Sequence, residues 1–173
     1  MLISSAPLRS SLALLLAFPL VACATSGSTD LEVEDPVAER EVPLPSGLSA
    51  AQQALAKVSN AARRDNTRPL FQIDARLSRL AQRHAEDMVK RGYFSHKTPE
   101  GQDPFQRLQI AGIRFRAAAE NIGQNTNPGT AVAGWLQSPP HRKNLLSKLY
   151  GKLGVGAAPG PDGNTTYVQI FTD

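Results

Sequence analysis

Asp74-Ala-Arg-Leu-Ser-Arg-Leu-Ala-Gln-Arg-His-Ala-Glu-Asp-Met-Val-Lys-Arg-Gly92 is the stretch on which the fold turns. Leu77, Ala81, His84 and Met88 recur at helical spacing, with Leu80 beside them, so one face of a helix over 74–91 is apolar. Asp74 can accept from the first free N–H groups, and Gly92 can take the left-handed turn after the last residue. The helix carries one apolar stripe and one charged face, so it packs against something larger than itself. That partner is sought on either side of it in the chain.

Upstream, Ala51, Leu55, Val58 and Ala62 predict a helix over 49–64. Downstream, Asp103-Pro104 opens a short helix with Phe105 and Leu108 expected inward and Gly112 as its stop. A fourth helix covers 129–137, with Val132, Trp135 and Leu136 on its apolar side. Ser138-Pro139 reads as cap and first residue of a further turn holding His141. The chain ends in two strands, Leu153-Gly-Val-Gly-Ala157 and Thr166-Tyr-Val-Gln-Ile-Phe-Thr172, the second rich in residues of high β propensity. Asp162-Gly163 marks the turn between them. Ala119 to Gly123 adds a third strand. The expected fold is α+β: an α-β-α sandwich with helices on both faces of a small, mostly antiparallel sheet. Gly154 and Gly156 are read as points of close packing, not as a phosphate loop.

The 173 residues suit one domain plus appendages, and a single cysteine excludes an internal disulfide. Stability then rests on the core, which about 120 residues can supply. The formal charge is +4, but it is unevenly spread. Residues 24–47 hold Asp30, Glu32, Glu34, Asp35, Glu39 and Glu41 against Arg40 alone, and they end in Pro43-Leu44-Pro45-Ser46-Gly47. Such a composition reads as a disordered acidic tether carrying a basic domain. Aromatic and basic residues do not interleave, which excludes a nucleic-acid signature.

Residues 10–22 form an apolar run behind Arg9, too short to span a bilayer and suited to an export signal. The run ends in Leu20-Val21-Ala22-Cys23, which resembles the bacterial lipobox. The resemblance implies cleavage before Cys23 and lipidation of its thiol, and several acyl chains give stable anchoring without a membrane-spanning helix. Ala24 in place of aspartate implies the outer membrane. The organisation expected is therefore a signal peptide over 1–22, lipidated Cys23 and tether over 23–47, and a folded domain over 48–173.

Six landmarks follow in order: Asn60-Ala-Ala-Arg63, the Leu77–Met88 helix face, Gly92-Tyr-Phe-Ser-His96, Ala119-Glu-Asn-Ile-Gly123, Trp135-Leu-Gln-Ser-Pro-Pro-His141-Arg-Lys-Asn-Leu-Leu146, and Gly154-Val-Gly156 with Tyr167-Val-Gln-Ile-Phe171. Together they resemble the CAP superfamily of cysteine-rich secretory, antigen 5 and pathogenesis-related proteins, in its short bacterial form. The resemblance covers roughly 50–173 and implies the α-β-α sandwich with a cleft. It places the cleft at His96, Glu120 and His141, with Ser138 where other members carry a second acid. It also implies zinc or another divalent cation at His96 and His141, or a small lipid or cell-wall ligand nearby.

The residues themselves bear on those roles. His84 lies on the apolar helix face and reads as a core histidine satisfied by a backbone group. His96 sits in a loop, where sites are common. His141 lies near a helix start with Arg142 and Lys143 beside it, which disfavours protonation and leaves a neutral ring able to bind metal. Glu120, among alanines, is either buried with a partner or aimed into a cleft, with His96 or His141 as natural partner. Two histidines and a carboxylate suffice for zinc with an open position. Ser95, Asn121 and Ser138 are the expected cleft neighbours. Ser138 reads as a cap, not a nucleophile, because no Gly-x-Ser-x-Gly elbow is present. Three functions stay open: a ligand-binding module, a peptide or cell-wall hydrolase using Glu120 and a histidine, and a purely structural or interaction domain.

Overall fold

A computed structural model describes residues 42–173. The signal peptide over 1–22, Cys23 and most of the acidic tether lie outside the described residues. Among those described, no helix is long and apolar enough to cross a membrane. Of the last tether residues, Leu44 packs with Leu48 against the core.

Among the described residues, five helices and four strands follow one another: α1 (Ala50–Asp65), β1 (Gln72–Ile73), α2 (Ala75–Arg91), α3 (Pro104–Ile110), β2 (Ala118–Asn125), α4 (Pro128–Gln137), α5 (Pro139–Leu146), β3 (Lys152–Pro159) and β4 (Thr165–Thr172). The sheet order is β1-β3-β4-β2. β3–β4 and β4–β2 are antiparallel, and only the two-residue β1 runs parallel to its neighbour β3. The mixed, mostly antiparallel sheet between helices is the architecture expected. β1 is an addition to it, too short to show any period in the sequence.

Local chemistry starts each helix. Ser49 and Gln52 form a capping box on α1, Asp74 accepts from the N–H groups of Arg76 and Leu77 on α2, and Asp103 with Gln106 boxes α3. Gly92 closes α2 in the left-handed conformation, φ 67°.

The pleat of β4 divides the core in two. Tyr167 and Phe171 face Leu55, Phe71, Trp135 and Leu145 on the α1, α4 and α5 side. Val168 and Ile170 face Leu77, Leu80, Ala85, Met88 and Leu108 on the α2 side. α2 sits directly on β3 because Gly154 and Gly156 present no side chain to it. A Cβ at either position would fall far inside contact distance of the backbone at Leu77 or Ala81. Phe105 departs from expectation. It is 44% exposed and rests against Phe115, ring centroids 6.1 Å apart, while Arg107 takes the inward position beside Leu108.

Candidate functional site

β2 is an edge strand of the sheet, and its alternation sends neighbouring side chains to opposite faces. Glu120 shares the α2 face with Ile122, and Asn121 turns toward α5. Each is the hub of a polar network, and the two expected histidines lie on these networks.

On the first face, Glu120 Oε1 accepts from His96 Nδ1 at 2.9 Å and Oε2 accepts from Arg107 Nη2 at 2.7 Å. The Glu120 side chain is 1% exposed and that of Arg107 7%. Arg107 also donates to the carbonyls of His96 and Gln102 through Nη1, so one guanidinium fixes both the carboxylate and the loop carrying its second partner. Because the ion-paired carboxylate only accepts, His96 Nδ1 is the donor, and Nε2 is the ring nitrogen turned away from Glu120. The His96 ring is 47% exposed, and no hydrogen bond engages Nε2 among the described residues.

Behind this pair, His84 Nε2 lies 3.8 Å from Glu120 Oε1 and donates to the Ser95 carbonyl at 3.1 Å. The backbone-satisfied core histidine is thus found, with the carboxylate contact added. Burial pushes its pKa down, with Glu120 opposing. His84 Nδ1 and Arg107 Nε are buried without hydrogen-bond partners among the described residues, and both residues line a depression of about 510 Å³ on the α2–α3 side.

On the second face, Asn121 Nδ2 donates to the His141 carbonyl at 3.2 Å and to Gln169 Oε1 at 3.1 Å, and Gln169 donates to Ser59. Asn144 donates to Asn121 Oδ1 at 3.0 Å and reaches the Glu120 carbonyl at 3.5 Å, covering the outward edge of β2 with α5. His141 is half-buried, with Nδ1 on Ser138 Oγ at 2.8 Å. Its pKa is lowered by burial first and by the charge of His96 second. The neutral ring is the one expected, but its causes are burial and His96, not the helix start or Arg142 and Lys143.

Several expectations are corrected. Ser138 occupies the capping position of α5 yet makes no cap bond; Pro139 and Pro140 lack the N–H of the first helical positions, so its hydroxyl turns to His141 instead. Asn121 is fully buried and serves as scaffold, not as a cleft contact. The expectation for Ser95 meets no contradiction: it is exposed, and its hydroxyl accepts from the Lys97 N–H. Glu120 does not stand as a third metal ligand: both oxygens are engaged and sealed, and among the described residues no three His, Cys, Asp or Glu side chains group to hold an ion. The three-ligand protein set usual for a catalytic zinc is therefore not assembled here among the described residues.

Sequence reasoning missed Arg107, Asn144, Gln169 and Ser59. Asn144 stood in the quoted His141-Arg-Lys-Asn segment, which was a usable signal. Arg107 offered none, since nothing in Phe105-Gln-Arg-Leu108 distinguishes an arginine turned inward from one in solvent.

Helices on both faces of a small sheet, with His96 braced at its edge by a buried Arg–Glu pair, define an α-β-α sandwich domain. The chain belongs to the CAP, or cysteine-rich secretory protein, family, whose profile matches residues 57–171. It is 37% identical over 114 residues to YkwD of Bacillus subtilis, covering 65% of this chain and 44% of that protein. It is also 45% identical over 74 residues to the B. subtilis membrane protein YlbC, covering 42% of this chain and 21% of the relative. The chain thus spans under half the length of these relatives. Among solved structures it resembles an extracellular SCP-domain protein of Bacillus anthracis, with TM-score 0.62 and 35% identity over 70% of this chain and 40% of that one. An outer surface protein of Borrelia burgdorferi shares the fold, with TM-score 0.65 and 21% identity over 70% and 90% of the two chains.

Proposed function

We propose that this chain is an exported envelope lipoprotein, anchored through Cys23, whose CAP domain binds a small ligand between His96 and His141. The observation that carries the reading is the pair of oriented imidazoles. Each ring has Nδ1 engaged, by Glu120 in one and Ser138 in the other, and no hydrogen bond at Nε2 among the described residues. Two such nitrogens suit a divalent cation, or the hydroxyl and N–H groups of a glycan or lipid headgroup. Export is supported by the extracellular, outer-surface and membrane descriptions of its relatives and by the apolar run before Cys23. The outer membrane is the anchoring leaflet implied by Ala24.

For metal, the fit is partial. His96 and His141 would hold the ion, and Glu120 would orient His96 from behind, as carboxylates do for metal-bound histidines. With two protein donors, the remaining positions fall to water or ligand. A hydrolase with Glu120 as direct acid or base is not favoured, because the carboxylate is closed off from any substrate. Glu120 is a positioning residue.

The test is a titration of the full chain with zinc, and separately with soluble peptidoglycan fragments. Saturable binding of at least one probe is expected, abolished in both His96→Ala and His141→Ala. Absence of binding to either probe, or binding unchanged in the two variants, would overturn the reading. Anchoring is tested by Cys23→Ser, which should move the protein from the membrane to the soluble fraction.

A further inference from the structure

α5 has a second working face. Where His141 serves the cleft, Arg142 and Lys143 turn to a depression of about 500 Å³ between α5 and the segment after α1, lined also by Asn66, Arg68 and Ser147. No Asp or Glu lines it, and no ion pair among the described residues neutralises Arg68, Arg142 or Lys143. Arg142 makes one side-chain bond, Nη2 to Asn66 Oδ1 at 3.0 Å. Arg68 Nε is buried with no hydrogen-bond partner among the described residues. The Ser147 hydroxyl accepts from the Leu149 N–H and keeps its own proton to donate.

The position of this cluster is set by Arg63. Its Nη1 donates to the carbonyls of Leu145 at 2.9 Å and Ser147 at 2.8 Å, and its guanidinium lies 3.8 Å from the Phe71 ring centroid. The end of α5 is thereby pinned to the end of α1, with a fourth cation close by. Burial and the nearby Arg68 lower the Arg63 pKa to about 10. Gathering like charges without counter-charge costs the folded state free energy. Dipole complementarity at the α1 end accounts for Arg63 and Arg64, but not for Arg68, which lies beyond the helix. Pro139 and Pro140 supply no N–H donors at the start of α5.

We propose that this depression is a phosphate-binding site, in which the Arg68 and Arg142 guanidinium groups, the Lys143 ammonium and the Ser147 hydroxyl hold one phosphate group. Two guanidinium forks and an ammonium from two elements suit a tetrahedral oxyanion better than a planar carboxylate. The phosphate is either free or part of an anionic lipid headgroup. The site is separate from the His96 cleft, and His96→Ala should leave it intact.

The experiment uses the full chain carrying Cys23→Ser, so that no acyl anchor contributes. Binding is measured by titration with inorganic phosphate and by flotation with phosphatidylcholine vesicles, with and without phosphatidylglycerol. The expected result is saturable binding that falls at least about tenfold in Arg142→Gln and in Arg68→Gln, the worth of one charge-assisted hydrogen bond, and weakens with salt. Lys90→Gln, on α2, should not change it. Binding to inorganic phosphate alone assigns free phosphate; binding to phosphatidylglycerol vesicles, lost in Arg142→Gln, assigns a lipid headgroup. Binding to neither, or an equal fall in Lys90→Gln, overturns the proposal. Arg142 is exposed, so its variant tests the site even if Arg68→Gln fails to fold.

Discussion

Replacing Glu120 by glutamine removes one charge and changes almost no volume. In the native protein the Glu120 and Arg107 side chains are 1% and 7% exposed and 2.7 Å apart. Glutamine leaves the guanidinium buried with the carbonyls of His96 and Gln102 but without a counter-ion. Removing one partner of a buried pair costs about 3–5 kcal/mol, because the remaining charge has lost its compensation. For a domain of this size that corresponds to a fall of roughly 10–15 °C in Tm. The assay is urea and thermal unfolding of the full chain, wild type against Glu120→Gln, Arg107→Met and the double variant. The double variant removes both charges, so its cost should be less than the sum of the singles by more than about 2 kcal/mol. Two outcomes would refute the reasoning: a loss under about 1 kcal/mol in Glu120→Gln, or single costs that simply add. Either would mean that water, not Arg107, balances the carboxylate.

Stability should also fall as pH drops from about 7 toward 5. His84 and His141 have lowered pKa values in the folded state, so below the ordinary value near 6.5 the unfolded chain binds protons that the native chain does not. Urea midpoints across that window should decline, and His84→Gln should flatten the decline; a pH-independent midpoint contradicts the burial of both rings. Gly156→Ala forces α2 off β3 and is expected to cost more than about 3 kcal/mol, since the clash is with backbone rather than a movable side chain. A variant that melts with wild type would show that α2 can shift freely. Ser138→Ala removes the partner of His141 Nδ1 without touching a helix cap. Zinc or ligand affinity should drop several-fold while Tm holds within about 2 °C; a large Tm loss would return Ser138 to a structural role.

The helices were legible because their signals are local: a period of 3.6, a capping oxygen and a left-handed glycine each act within a few residues. The long strands were legible from β-rich runs. β1 was not, because two residues carry no pattern, and its pairing is set by Lys152 and Leu153 far along the chain. The site was half legible. His96 and Glu120 meet in a hydrogen bond, but the roles of these residues and of His141 depend on partners supplied by tertiary structure. Ser138 reads as a cap because Ser-Pro usually is one, and only the spatial closeness of His141 changes that. Glu120 reads as a candidate ligand because nothing nearby in sequence announces that Arg107 will turn inward.

That inward turn explains why the cleft can present polar groups at a sheet edge at all. An edge strand exposes unpaired backbone, and burying a carboxylate there costs several kcal/mol unless it is fully paired. Here the two problems are solved by adjacent residues of one strand. Glu120 is paired from one face by Arg107 and His96, and Asn121 is paired from the other by Asn144 and Gln169. Asn144 closes the loop by reaching the Glu120 carbonyl itself. Glu120 thus holds the His96 ring, while the neighbouring Asn121 holds the His141 carbonyl, so a shift of β2 would disturb both segments together. Under the proposed function, a ligand bridging His96 and His141 would sense the register of β2 against β4, which would link its affinity to the integrity of the sheet. Loosening that register at Gln169, which anchors Asn121 from β4, should weaken bridging ligands more than ligands that touch His96 alone.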